Sequence, residues 1–280
     1  MIPAPFEYER AESVGHVFEL LGRFGDDAKL LAGGQSLLPL MKLRLAQPSA
    51  LIDIGRLADL AYVRDEGHHV AIGALTRHED AHFDEVLKRS CPIIAKAAGE
   101  VGDPQVRHLG TIGGSIAHAD PASDLPTVLV TLDATFVVRG LDGERSVTAS
   151  DFFKGTFETE LRAGEILTEI RVPKLDGAGW SYQKFHPRAQ DWAIVGVAAV
   201  VQRSNGGVGR AAVGLTNMGE TPLRASGVEQ ALASGADAAA AAQEATQNTN
   251  PVNDPFASAE YRMEMAKVLT RRALEEALSR

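Results

Sequence analysis

The chain has 280 residues, 45% hydrophobic and 23% charged, an ordinary globular balance and too much length for one small domain. A formal net charge of −9, with no basic cluster to offset it, disfavours nucleic acid and anionic membrane as partners. Cys91 is the single cysteine, which excludes an internal disulfide, a Cys-ligated iron–sulfur cluster and a zinc ribbon within this chain. Residues 1–7 lack a positive region followed by an apolar run, and no stretch has the apolar length that spans a bilayer. The expectation is a cytoplasmic protein without membrane insertion.

Taken in chain order, the pattern divides into three units, expected at residues 1–56, 57–175 and 176–280. In the first, Val14, Val17, Phe18, Leu20, Leu21 and Phe24 form a stripe of helical period over residues 11–24. Residues 29–31 read as a strand running into Ala32-Gly33-Gly34. Ser36 can cap a helix over residues 37–44, with Pro39 tolerated in its first turn, and residues 51–54 read as a strand. The second unit opens with strands at residues 62–63 and 69–72 around Asp65-Glu66-Gly67. Helices follow at residues 78–88, 92–101 and 124–132, then strands at 135–139 and 166–172. The third begins with antiparallel strands at residues 180–185, 193–201 and 211–215, with Ser204-Asn205-Gly206-Gly207 as a hairpin turn. It closes with an Ala-rich helix from residue 236, a loop over residues 248–255 and a helix over residues 260–278.

Two glycine-rich turns carry the chemistry: Ala32-Gly33-Gly34-Gln35-Ser36 and Gly110-Thr111-Ile112-Gly113-Gly114-Ser115. Successive glycines let backbone N–H groups converge on an anion with no Cβ in the way, and Ser36, Thr111 and Ser115 add hydroxyls. Neither turn has the G-x-G-x-x-G spacing of a Rossmann fingerprint or the Gly-Lys-Ser/Thr of a P-loop. Singly, each reads more readily as an ordinary tight turn. Together, in consecutive units, they point to one dinucleotide pyrophosphate held between them.

These turns, with Met41-Lys42-Leu43-Arg44, Ala119-Asp120-Pro121-Ala122-Ser123-Asp124-Leu125-Pro126, Gly164-Glu165-Ile166-Leu167 and Tyr182-Gln183-Lys184-Phe185, resemble the FAD-binding subunits of the xanthine dehydrogenase and carbon monoxide dehydrogenase family. The resemblance covers essentially the whole chain. It implies an α+β fold: a vanillyl-alcohol-oxidase-type (PCMH) FAD-binding domain of two α/β subdomains, plus a C-terminal antiparallel sheet with helices. It implies FAD contacts from Ala32, Gly33, Gly34, Gln35 and Ser36, and from Thr111, Ile112, Gly113, Gly114 and Ser115. Asp124 is implied at a ribose or ribityl hydroxyl, and Leu167, Lys184 and Trp192 at the isoalloxazine. It implies a small 2Fe-2S subunit and a large molybdopterin subunit as partners, and an external electron acceptor. On the residues alone, Asp124 reads equally as a helix N-cap, Lys184 as a solvated strand lysine and Trp192 as core.

Other motifs compete. His78-Glu79-Asp80-Ala81-His82 spells H-E-x-x-H, but Thr76 to Glu79 reads as a capping box, and the expectation is a surface helix without metal. Gly34 to Leu38 fails the G-x-S-x-G elbow at its last position. His118 and Asp120 read as a structural loop pair. The rival functions are a stand-alone flavoenzyme and a nucleotide-binding scaffold without redox chemistry.

Overall fold

The computed structural model describes residues 2–204 and 207–280. Three main sheets follow one another along the chain, each with its own apolar core. The first is parallel, with β1 (Glu7–Arg10) and β2 (Ala28–Leu31) on either side of β3 (Ala50–Asp53). Helix α1 (Val14–Phe24) packs on it through Val17, Phe18 and Leu20, and starts where the Ser13 side chain accepts from His16 N. The short α2 (Leu37–Lys42) follows the first glycine turn. It stops short of the expected residue 44, where Arg44 takes a positive φ of 60°.

The second unit contains β4 (Val63–Asp65), β5 (His69–Gly73), α3 (His78–Phe83), α4 (Glu85–Ser90), α5 (Pro92–Gly99), α6 (Pro104–Arg107), α7 (Ile112–His118) and α8 (Asp124–Thr131). It continues through β6 (Thr135–Gly140), β7 (Gly143–Thr148), α9 (Ala149–Phe152), β8 (Phe153–Gly155), β9 (Glu158–Thr159) and β10 (Ile166–Pro173). Its five-stranded sheet runs β4-β5-β10-β6-β7, antiparallel throughout. The single helix expected over residues 78–88 is two, because Asp84 leaves helical geometry and caps α4 by accepting from Leu87 N at 2.9 Å. Cys91, between α4 and α5, is fully buried. Burial pushes its thiol up to about 12.

The third unit is an antiparallel sheet, β11 (Gly179–Phe185), β12 (Val195–Ser204), β13 (Gly207–Thr216) and β14 (Leu223–Arg224). It is covered by α10 (Ser226–Ala233), α11 (Ala238–Ala241) and α12 (Ala259–Ser279). Residues 205–206 of the expected hairpin turn lie outside the described residues. Helix α8 is shared between units: Thr216 and Thr127 are joined by a buried hydroxyl–hydroxyl hydrogen bond of 2.8 Å. A Cβ at Gly214 would lie 2.1 Å from Thr131 Oγ1, so the helix and β13 are in close contact.

Candidate cofactor site

A cleft of about 530 Å³ opens where the three units meet. All the residues expected at the cofactor line it except Ile112. Ile112 belongs to the core of the second unit instead, with a fully buried side chain and a backbone N–H that donates to Thr76 O at 2.9 Å.

The two glycine turns do different work. In the first, the N–H groups of Gly33, Gly34, Gln35 and Ser36 donate to no acceptor among the described residues. The Gln35 amide bends back to Gly33 O at 3.3 Å. Ser36 sits at the N-cap position of α2, but its hydroxyl makes no capping bond, contrary to the cap expected. Backbone donors left unpaired in a cleft seek an acceptor from outside the chain.

In the second turn the donors are already engaged. Gly113 N donates to Ala74 O at 2.8 Å, Gly114 N to Thr111 Oγ1 at 3.1 Å and Ser115 N to Thr111 O at 3.1 Å. Its glycines serve close packing. A Cβ at Gly113 would lie 2.5 Å from Ala74 O. The turns also touch each other, since a Cβ at Gly33 would lie 2.2 Å from Leu109 O.

Asp124 and Lys184 form one unit rather than two separate contacts. Both are buried, and Lys184 Nζ donates to Asp124 Oδ2 at 2.9 Å and to Glu100 O at 2.8 Å. The Tyr182 hydroxyl donates to Asp124 Oδ1 at 2.5 Å. Burial raises the Asp124 carboxyl above its ordinary value, although Lys184 and Tyr182 oppose it; burial and then Asp124 push the Tyr182 phenol well above its own. Neither simpler reading survives: Ser123 holds the N-cap position of α8, and Lys184 is not solvated. Trp192 is not core either. It is 55% exposed on the loop after β11, at the edge of the cleft. Asn217 Nδ2 moors that loop by donating to Ala193 O at 2.8 Å, and Arg262 Nη1 does so at Ile194 O. Leu167 lines the cleft beside a bulge in the β10–β6 pairing.

Glu165 and His78 are among the cleft residues that escaped the sequence reading. Glu165 is clamped by Arg145 through bonds of 2.8 and 2.6 Å, which hold its carboxyl below the usual value. His78, expected on a surface helix, is 4% exposed in the cleft wall; burial, with Arg107 adding to it, lowers its imidazole to about 4. The expected capping box does not form. Thr76 Oγ1 bonds to the backbone of Tyr62, Arg77 takes the cap position and Glu79 pairs with Arg107 at 2.9 Å. His82 bonds to Ala95 O at 2.8 Å, away from His78. His118 ends α7, lines the cleft and packs against Phe157 at 4.9 Å between ring centroids, while Asp120 lies in the following loop and accepts from Ala122 N, so the two do not form the loop pair expected.

Residues 4–175 match the family described as FAD binding domain in molybdopterin dehydrogenase, and residues 180–277 the CO dehydrogenase flavoprotein C-terminal domain. The carbon monoxide dehydrogenase medium chain of Hydrogenophaga pseudoflava is 43% identical over 100% of this chain and 99% of its own. The glyceraldehyde dehydrogenase medium chain of Sulfolobus acidocaldarius is 40% identical over 99% of each. The solved Hydrogenophaga pseudoflava carbon monoxide dehydrogenase, in a form lacking the Mo-pyranopterin moiety, superposes with a TM-score of 0.97 at 45% identity, covering 100% of this chain and 99% of that one. The expected α+β class, a PCMH-type FAD-binding domain with a C-terminal antiparallel domain, is therefore the fold. The chain belongs to the FAD-binding medium subunits of the molybdenum hydroxylases and is an oxidoreductase subunit.

Proposed function

We propose that this chain holds one FAD non-covalently in the cleft and carries electrons from a small 2Fe-2S subunit to an external acceptor, as the middle member of a cytoplasmic heterotrimer. The large partner would hold the molybdopterin and hydroxylate the substrate. The single observation that carries the reading is the first turn, where unpaired N–H groups from Gly33 to Ser36 line a cleft of dinucleotide scale. Ala32 to Ser36 would hold the pyrophosphate. Thr111, Gly113, Gly114 and Ser115 would border it, and the Ser115 hydroxyl would be a donor. Asp124, Leu167, Lys184 and Trp192 would flank the ring and its polar chain. In this division residues 1–56 and 57–175 hold the cofactor and residues 176–280 cover it.

Bound FAD supplies the conversion between single electrons and pairs that joins cluster chemistry to an acceptor. The chain's contribution is fixed charge and shape. Lys184 keeps one N–H beyond those given to Asp124 and Glu100 O, so a cation is presented to the cleft without losing its anchors. Trp192 limits solvent access at the edge. With Cys91 buried and alone, substrate electrons have no cluster through which to enter this chain.

The test is reconstitution from the separately purified subunits. Acid precipitation of the loaded chain should release its flavin into the supernatant, and substrate should reduce that flavin only when the small and large subunits are both present. Flavin reduction by substrate in the lone chain would defeat the proposal and favour a stand-alone flavoenzyme.

A further inference from the structure

His78 belongs to a sequence that spells a metal motif, yet the other members of that motif are engaged elsewhere, Glu79 by Arg107 and His82 by Ala95 O. Its backbone is fixed, with N–H donating to Gly110 O at 3.0 Å. The ring packs on the second glycine turn, where a Cβ at Gly110 would lie 2.8 Å from Cδ2 and 3.2 Å from Nε2. The side chain is otherwise unpaired. Neither ring nitrogen has a hydrogen-bond partner among the described residues, and Nδ1 is sealed from solvent. Buried polar groups are nearly always paired, and one left unpaired lowers stability. A group needed only for packing would be apolar, as Leu75, Val101 and Val106 are in the same wall. Burial and the Arg107 charge keep the ring neutral at physiological pH, so it carries one donor and one acceptor. Of the two nitrogens Nδ1 is sealed and Nε2 is not, so Nε2 is the one that can reach a group in the cleft.

We propose that His78 is a further binding residue of this cleft, donating a hydrogen bond from Nε2 to an oxygen or ring nitrogen of the bound dinucleotide. The proposal rests on the FAD reading above and adds a residue that reading does not contain. In the cofactor-free chain the ring is an unpaired polar group in a wall; in the loaded chain it has its partner. Metal plays no part in this role.

The experiment compares the full-length chain with His78→Leu and His78→Gln. FAD affinity is followed by quenching of flavin fluorescence, and stability by the Tm of the cofactor-free protein. The expected result is about tenfold weaker FAD binding in His78→Leu. Its cofactor-free Tm should be unchanged or higher, since an unpaired polar group has been removed. His78→Gln, which restores a donor, should recover most of the affinity. Repeating the titration with ADP and with FMN assigns the bond to the half of the dinucleotide whose binding weakens. Equal FAD affinity in wild type and His78→Leu overturns the proposal alone. So does a loss of affinity that His78→Gln does not restore and that tracks a fall in cofactor-free Tm. A wild-type chain that binds no FAD overturns the underlying reading, and this proposal with it.

Discussion

The two glycine turns look alike in sequence and differ in what the fold does with them. Residues 33–36 keep their N–H groups unpaired, whereas residues 112–115 give theirs to Thr76 O, Ala74 O and the two Thr111 oxygens. The first turn presents open donors; the second is a joint that ties α7 to the end of β5 and presses Leu109 against Gly33. Glycine is required at both, once to leave donors approachable and once to let backbone meet backbone.

The largest effects should come from adding a side chain at each turn. In Gly33→Val the new Cβ presses on Leu109 O, and the two turns must part. FAD binding should weaken by more than roughly a hundredfold, about 3 kcal/mol, and the clash with backbone should lower the cofactor-free Tm as well. In Gly113→Val the clash is with Ala74 at the end of β5, inside the second unit. There too the cofactor-free Tm should fall by several degrees, because overpacking costs about 1–3 kcal/mol, while FAD binding should weaken less than in Gly33→Val. Scanning calorimetry beside flavin titration separates the two outcomes. Equal losses of FAD affinity in the two variants would erase the distinction between open donors and joint.

Acid sensitivity sharpens the comparison next. His78 lies under the second turn with its pKa depressed to about 4 from an ordinary 6.5. Above pH 6.5 its titration costs the fold nothing; as the pH falls from 6.5 towards 4 the unfolded chain takes up a proton that the buried ring does not, which costs on the order of 3 kcal/mol at most. Asp124, raised by burial, works in the opposite sense and favours the fold as it is protonated. The quantity to measure is therefore the difference between wild type and His78→Leu in denaturant midpoint from pH 7 to pH 4. It should shift in favour of the variant as the pH drops, and a constant difference would contradict the assignment.

The smallest effects distinguish the two hydroxyls. Thr111 Oγ1 caps α7 through Gly114 N, so Thr111→Ala should cost about 1 kcal/mol of cofactor-free stability. Ser36 caps nothing, so Ser36→Ala should leave cofactor-free stability within about 0.5 kcal/mol while FAD binding weakens roughly fivefold. Urea melts and flavin titrations of the two variants give the comparison.

Sequence periodicity located the long elements well, since an amphipathic helix such as α1 or a Val-rich strand such as β12 advertises its buried face. It missed elements whose existence depends on a partner. β1, Glu-Tyr-Glu-Arg, has little apolar content and is a strand because it pairs with β3 in parallel register. β7, Gly143–Thr148, was likewise unassigned and is a strand because it pairs with β6. The cleft was legible at its glycines and in the carried motifs. Its division of labour was not, because two of the acceptors for the second turn lie on Ala74 and Thr76, far upstream in the chain. The capping box failed for the same reason: Arg107 claimed Glu79, and the Tyr62 backbone claimed Thr76. Asp124 and Lys184 each read as a separate site; only the meeting of α8 and β11 makes them an ion pair.

Cys91 bears on how an oxidoreductase subunit withstands oxidants. A thiol held protonated to about pH 12 and closed off from solvent offers no thiolate to an oxidant, so it stays off the path from sulfenic to sulfonic acid. No other sulfhydryl exists in the sequence. The surface is thus blank to thiol reagents, and a cysteine placed at exposed Leu109, beside the first turn, would be the sole labelling point. Its protection or reactivity would then report directly on what covers the rim of the cleft.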